Sequence, residues 1–121
     1  MRTLRQRRGA RAEDLAIAWL EQHGWRVLAR NVKVGKRDEI DIVAVDPGPP
    51  AELVCVEVRS ASSVAFGAPE ERIDSAKVGH LYRAMIALHA DVRLPRRVDL
   101  IAVDARADVL RVRHLRHLEP G

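Results

Sequence analysis

Aromatic side chains are almost missing from this chain of 121 residues, which holds two Trp, one Tyr and one Phe. Recognition dominated by base stacking is therefore not expected. Cysteine is as scarce: Cys55 stands alone inside an apolar run and cannot form an internal disulfide, which suits a reducing compartment. No apolar run is long enough to span a bilayer, and the Arg-rich start reaches Glu13 and Asp14 without a signal-peptide core. The expected location is the cytoplasm, with no membrane partner. Internal repeats and extended low-complexity segments are also missing, which leaves a single domain of ordinary size, large enough for a real core.

What is present is charge. The 21 Lys and Arg against 17 Asp and Glu give +4, and 18 of the 21 are Arg. An Arg-codon-rich genome accounts for most of that ratio, yet Arg is also the better bidentate phosphate partner. The local cluster of Arg2, Arg5, Arg7, Arg8 and Arg11 suits an anionic partner, or else a solvated tail. Residues 1–11 read as a basic N-terminal arm without order of its own, and residues 12–121 as the folded domain.

Two short apolar runs carry charge at one end: Glu39-Ile40-Asp41-Ile42-Val43-Ala44-Val45 and Leu53-Val54-Cys55-Val56-Glu57-Val58-Arg59. Both read as strands, and alternation puts Asp41 and Val43 on one face of the first and Cys55 and Glu57 on one face of the second. Pro47, Gly48, Pro49 and Pro50 mark the turn between them. Two registers are open. With Val45 opposite Leu53, Asp41 faces Glu57, and carboxylates so opposed have Cβ atoms about 4.5 to 5.5 Å apart and repel unless something neutralises them. A divalent cation would do so, since hard cations such as Mg²⁺ bind through one or two carboxylates plus substrate phosphates. Slipped by one residue pair, the hairpin would instead set Asp41 against Arg59 in an ordinary ion pair.

Around this hairpin, residues 10–23 show helical spacing through Ala12, Leu15, Ala16 and Trp19, with Gly24 to end the helix. Residues 25–30 read as a first strand and 31–37 as a polar, basic connection. Residues 60–73 form a long, irregular loop beside the candidate site. Asp74 or Ser75 caps a second helix to about residue 90, with Val78, Leu81, Tyr82, Met85 and Leu88 on its core stripe and Lys77, His80 and Arg83 on a more solvated side. Two β-rich runs, 98–103 and 109–115, finish the order α-β-β-β-α-β-β.

The ordered motifs Ala12-Glu13-Asp14-Leu15-Ala16, Leu28-Ala29-Arg30-Asn31, Asp38-Glu39-Ile40-Asp41-Ile42, Val56-Glu57-Val58-Arg59, Phe66-Gly67-Ala68-Pro69-Glu70 and Val98-Asp99-Leu100-Ile101 resemble the YraN-like family of predicted bacterial endonucleases. The resemblance runs from about residue 10 to residue 104. It implies an α/β, restriction-endonuclease-like fold, a central mixed sheet flanked by helices, distantly related to archaeal Holliday-junction resolvases. It further implies a Mg²⁺- or Mn²⁺-dependent endonuclease acting on DNA rather than RNA, with branched or flapped DNA as the inherited substrate. On that reading Asp41 and Glu57 are metal ligands, Glu13 completes the site from the first helix, and Arg59 stands where many members carry Lys. Arg5, Arg7, Arg8, Arg11 and Lys77 would contact the nucleic-acid backbone. Asp99 matches a late acidic position of the family, or simply holds an Arg such as Arg97.

Arg59 is effectively always protonated, so it can steady a phosphate but is a poor general base. Ala12 and Asp38 stand where the family usually has Gly. Two other readings therefore stay open: a nucleic-acid-binding module of the same fold without efficient catalysis, and a protein-interaction domain in which the acids form structural ion pairs and a homodimer forms through the second helix.

Overall fold

The computed structural model describes residues 4–62 and 67–120. Its elements are α1 (Leu4–Gln22), β1 (Arg26–Val34), β2 (Asp38–Asp46), β3 (Glu52–Ala61), a short 3-10 turn (Pro69–Arg72), α2 (Ser75–Ala87), β4 (Arg96–Asp104) and β5 (Arg111–Leu115). The expected order α-β-β-β-α-β-β and the mixed sheet are both found. The five strands lie in sequence order, with β3 and β4 parallel and every other neighbouring pair antiparallel. A parallel neighbour requires a crossover, and α2 lies in the connection between β3 and β4.

The two helices cover opposite faces of the sheet. Ala12, Ala16 and Leu20 recur every fourth residue along α1 and pack on Ile42, Ala44, Val54, Val56 and Ile101. From α2, Leu81, Ala84 and Met85 meet Val43, Leu53, Cys55 and Val98. The central strands are thus buried on both sides, which is why β3 and β4 read as nearly continuous apolar runs rather than strict alternations. Burial also pushes the Cys55 thiol up to about 12, so this cysteine is a core residue and not a nucleophile.

The end of α1 and both ends of α2 are closed by identifiable groups. Gly24 takes a left-handed φ of +83° after α1, and the Trp25 amide donates back to Leu20 O at 3.0 Å. Asp74 caps α2 by accepting from the Lys77 amide at 2.9 Å. At the other end of α2, Arg96 Nη1 donates to the carbonyls of Met85 and Leu88, both at 2.7 Å.

Three boundaries differ from expectation. The first helix begins at Leu4, so residues 4–11 of the basic arm are its opening turns; residues 1–3 lie outside the described residues. The first strand continues through Val34 because the break at Asn31, which has a positive φ of 53°, is only local and pairing resumes at Val32 opposite Ile40. The expected connection 31–37 shrinks to Gly35, Lys36 and Arg37. The loop at 60–73 is partly strand, since β3 runs to Ala61, and partly the 3-10 turn; Phe66 of the family motif lies outside the described residues. Among the described residues no helix is long and apolar enough to cross a membrane.

Candidate functional site

The register of β2 against β3 decides between the two hairpins left open by the sequence. Val45 pairs with Leu53, Val43 with Cys55 and Ile42 with Val56. The ladder ends there, and Asp41 next accepts from the Val58 amide with the Glu57 carboxylate close by and Arg59 beyond. Both carboxylates lie on the α2 side of the sheet: Asp41 shares a cavity with Lys77, His80 and Leu81, and Glu57 stands near Lys77. There the chain places two carboxylates at the end of an otherwise apolar hairpin.

Their electrostatics follow from that placement. Asp41 accepts a hydrogen bond from the Val58 amide at 2.8 Å, which favours its charged form. Burial and the neighbouring Glu57 carboxylate outweigh that bond and push Asp41 up to about 7, with Glu13 adding a smaller repulsion. Glu57 is only 5% exposed. Two cations approach it: Arg59 Nε lies 3.3 Å and Lys77 Nζ 3.7 Å from Glu57 Oε1. The Arg59 contact is one of charge only, because its Nε–H is buried and has no acceptor among the described residues. An open cavity of about 270 Å³ lies over Asp41, lined also by Arg37, Asp38, Glu39, Lys77, His80 and Leu81; Glu57 is not part of its wall.

Glu13 stands apart. Its carboxylate accepts from Arg30 Nη2 at 3.2 Å, while Arg30 Nη1 holds Asp14 at 2.7 Å. Among the described residues no group of three or more His, Cys, Asp or Glu side chains is gathered closely enough to hold a metal ion. The expected trio is thus a pair, Asp41 and Glu57, with Glu13 engaged by the edge strand. A two-carboxylate donor set fits a hard divalent cation whose remaining positions are filled by water and substrate oxygens. The elevated Asp41 agrees with that fit, since its repulsion is one that a cation would relieve.

Other expectations find definite places. Lys77 reaches the pair directly. Arg7 and Arg11 are exposed on α1, and the side chains of Arg5 and Arg8 lie outside the described residues. Asp38, where the family usually has Gly, is clamped by Arg83 from α2 through bonds of 2.9 and 2.8 Å, so its added charge is neutralised. Asp99 is fully buried and accepts from Arg97 Nε at 2.9 Å, from the His117 amide at 3.1 Å, and lies 2.8 Å from His114 Nε2. Arg97 also reaches Glu52 at 2.9 Å and Asp46 at 2.8 Å. This network lies at the far end of the sheet, where Asp46 pairs with Glu52, and serves the core rather than the carboxylate pair.

Sequence reasoning missed Arg30 as the partner of Glu13 and Arg37 as a cavity residue. The signal for Arg37 was its place in a three-residue turn that leads straight into β2.

Comparison with known proteins agrees with the motif pattern. The model of the family described as "Uncharacterised protein family UPF0102" matches residues 12–103. The chain belongs to the UPF0102 family. This is the YraN-like family that the motifs resemble. A UPF0102 protein of Arthrobacter sp. (strain FB24) is 43% identical over 112 residues, covering 89% of this chain and 92% of its own. One from Bacteroides thetaiotaomicron is 36% identical over 110 residues, covering 89% and 88%. One from Carboxydothermus hydrogenoformans is 32% identical over 117 residues, covering 94% and 96%. The family match spans α1 to β4 and therefore includes Glu13, Asp41, Glu57, Arg59 and Asp99.

Proposed function

We propose that this UPF0102 protein is a metal-dependent phosphodiesterase acting on DNA as an endonuclease, with Mg²⁺ or Mn²⁺ held by Asp41 and Glu57. The observation that carries the reading is the closeness of these two carboxylates, just beyond the end of the β2–β3 ladder, with Asp41 raised to about 7 by burial and by Glu57. Like charges brought together in a poorly solvated place cost stability, and such arrangements are concentrated at functional sites.

A divalent cation bound there would supply neutralisation of the scissile phosphate and activation of an attacking water. The chain's own residues do the rest. Asp41 is oriented by the Val58 amide. The partly exposed Arg59 guanidinium can stand against a phosphate oxygen, and Lys77 adds a second positive charge from α2. Because Arg59 does not lose its proton, its role is stabilisation of developing negative charge and not proton abstraction. The interaction-domain reading is less well supported, since the register sets Asp41 beside Glu57 and not Arg59. The binding-module reading shares the fold and the cations and differs only in turnover.

Incubation with nicked, flapped, branched and single-stranded DNA in Mg²⁺ or Mn²⁺ is the direct test. Cleavage should disappear in Asp41→Ala and Glu57→Ala. Arg59→Ala should lower turnover by about 10² to 10³, the usual loss for one such donor, while Arg59→Lys retains or raises it. No cleavage of any of these substrates by the wild type, and none by Arg59→Lys, would leave the binding module as the function.

A further inference from the structure

The cations expected to contact nucleic acid were the N-terminal arginines and Lys77, but the structure sets a different group at the mouth of the carboxylate cavity. The β1–β2 hairpin closes with Val34 opposite Asp38 through Gly35, Lys36 and Arg37, the glycine at a φ of +62°. All three turn residues are exposed. Arg37 lines the cavity that holds Asp41, and Lys36 stands next to it.

Two features make this turn more than a solvated tip. Its base is fixed, because Asp38 is clamped to α2 by both guanidinium bonds from Arg83. Its charge is also left over. Arg30, Arg83, Arg97 and Arg106 each face carboxylates within 3.2 Å, whereas Lys36 and Arg37 have no ion-pair partner among the described residues. Glu39, the exposed acid on the same rim, stands directly opposite Lys33 in the β1–β2 register, so the edge strand answers its charge. The positive tip and Lys77 of α2 thus flank a cleft that has Asp41 in its wall.

We infer that the Lys36–Arg37 hairpin tip is the main phosphate-contacting element of this protein, holding the sugar-phosphate backbone of DNA across the cavity over Asp41 without reading its sequence. The inference rests on the nuclease reading for the identity of the anion. The clamped turn supplies register, and its leftover charge supplies affinity through counterion release.

The test is the salt dependence of binding to a short fluorescent duplex of mixed sequence, measured in EDTA so that no cleavage occurs. Lys36→Ala/Arg37→Ala should reduce the slope of log K against log salt by about 2, since each phosphate neutralised on duplex DNA accounts for about 0.9 of that slope. Arg26→Ala/Arg93→Ala removes the same charge from exposed positions at the opposite end of the sheet, where Arg26 pairs with Val45, and should leave the slope as it is. Equal slope losses in both variants would mean that net charge alone binds DNA. An unchanged slope in the tip variant, or no binding by the wild type, would equally overturn the inference. Mn²⁺-dependent cleavage is scored separately: cleavage with an unchanged tip slope sinks the inference alone, and a reduced tip slope without any wild-type cleavage sinks the nuclease reading alone.

Discussion

Replacing Asp41 with Asn should stabilise the metal-free protein while removing its response to Mn²⁺. The folded carboxyl titrates near 7 against an ordinary value of 3.8. Between those two pH values the native chain holds a proton that the unfolded chain has released. Stability therefore falls as pH rises through that window and levels off above it. At about 1.36 kcal/mol per pK unit, the full penalty at pH 8 is no more than about 4 kcal/mol. Asn cannot ionise, yet its side-chain oxygen can still accept from the Val58 amide, so the substitution removes the repulsion without orphaning that donor. For a domain of this size one kcal/mol moves the midpoint by roughly 4 °C, so Asp41→Asn should melt about 5 to 15 °C higher at pH 8 and level with wild type near pH 4.

Mn²⁺ should close most of that gap. A ligand at about 100 times its Kd adds about 2.7 kcal/mol to a protein that binds it only when folded. Wild type should gain this and Asp41→Asn should not. Thermal unfolding of both proteins from pH 4 to 8, with and without Mn²⁺, provides the whole comparison. The reasoning fails if Asp41→Asn is no more stable than wild type at pH 8 in chelator, or if Mn²⁺ raises both melting points equally.

The Arg97 network makes two further predictions. Arg97 is 4% exposed and binds Asp46, Glu52 and the fully buried Asp99, so Arg97→Ala should cost about 3 to 5 kcal/mol in urea unfolding; a loss below about 1 kcal/mol would show that the carboxylates find other partners. Hydrogen bonds to charged and backbone donors hold Asp46 and Asp99 below the usual carboxylate range despite their burial. Their stabilisation is present above about pH 4 and is lost as pH falls through their folded values, below the window in which Asp41 acts. Asp46→Asn should therefore flatten the acid limb of the stability curve and leave the limb between pH 4 and 7 alone.

What the sequence made legible is what one local hairpin produces. The Pro-rich turn and the alternation of Asp41, Val43, Cys55 and Glu57 fixed the faces, and only the register remained to be chosen. Periodicity likewise placed α2, whose core stripe is as expected. The strand at Arg26–Val34 was read short because Asn31 breaks the alternation with a left-handed residue that the pairing tolerates. The start of α1 was set too late because an Arg-rich stretch has no apolar face to mark it as helix.

The partners of charges were the least legible part, for a physical reason. Arg30 meets Glu13 only because an edge strand passes beside α1, and Arg97, whose bond to Asp99 two residues on is local and was legible, gathers Asp46 and Glu52 only once β4 lies parallel to β3. Arg83 reaches Asp38, 45 residues away, only once α2 has packed over the hairpin. None of these separations has a period. A sequence therefore reveals where carboxylates are forced together by one turn, but which cations answer them depends on crossings between distant elements. That is why Asp41 and Glu57 could be named from the sequence, while the cations that set the cavity's balance, Lys36 and Arg37 at the hairpin tip and Arg83 spent on Asp38, emerge only from the packed fold.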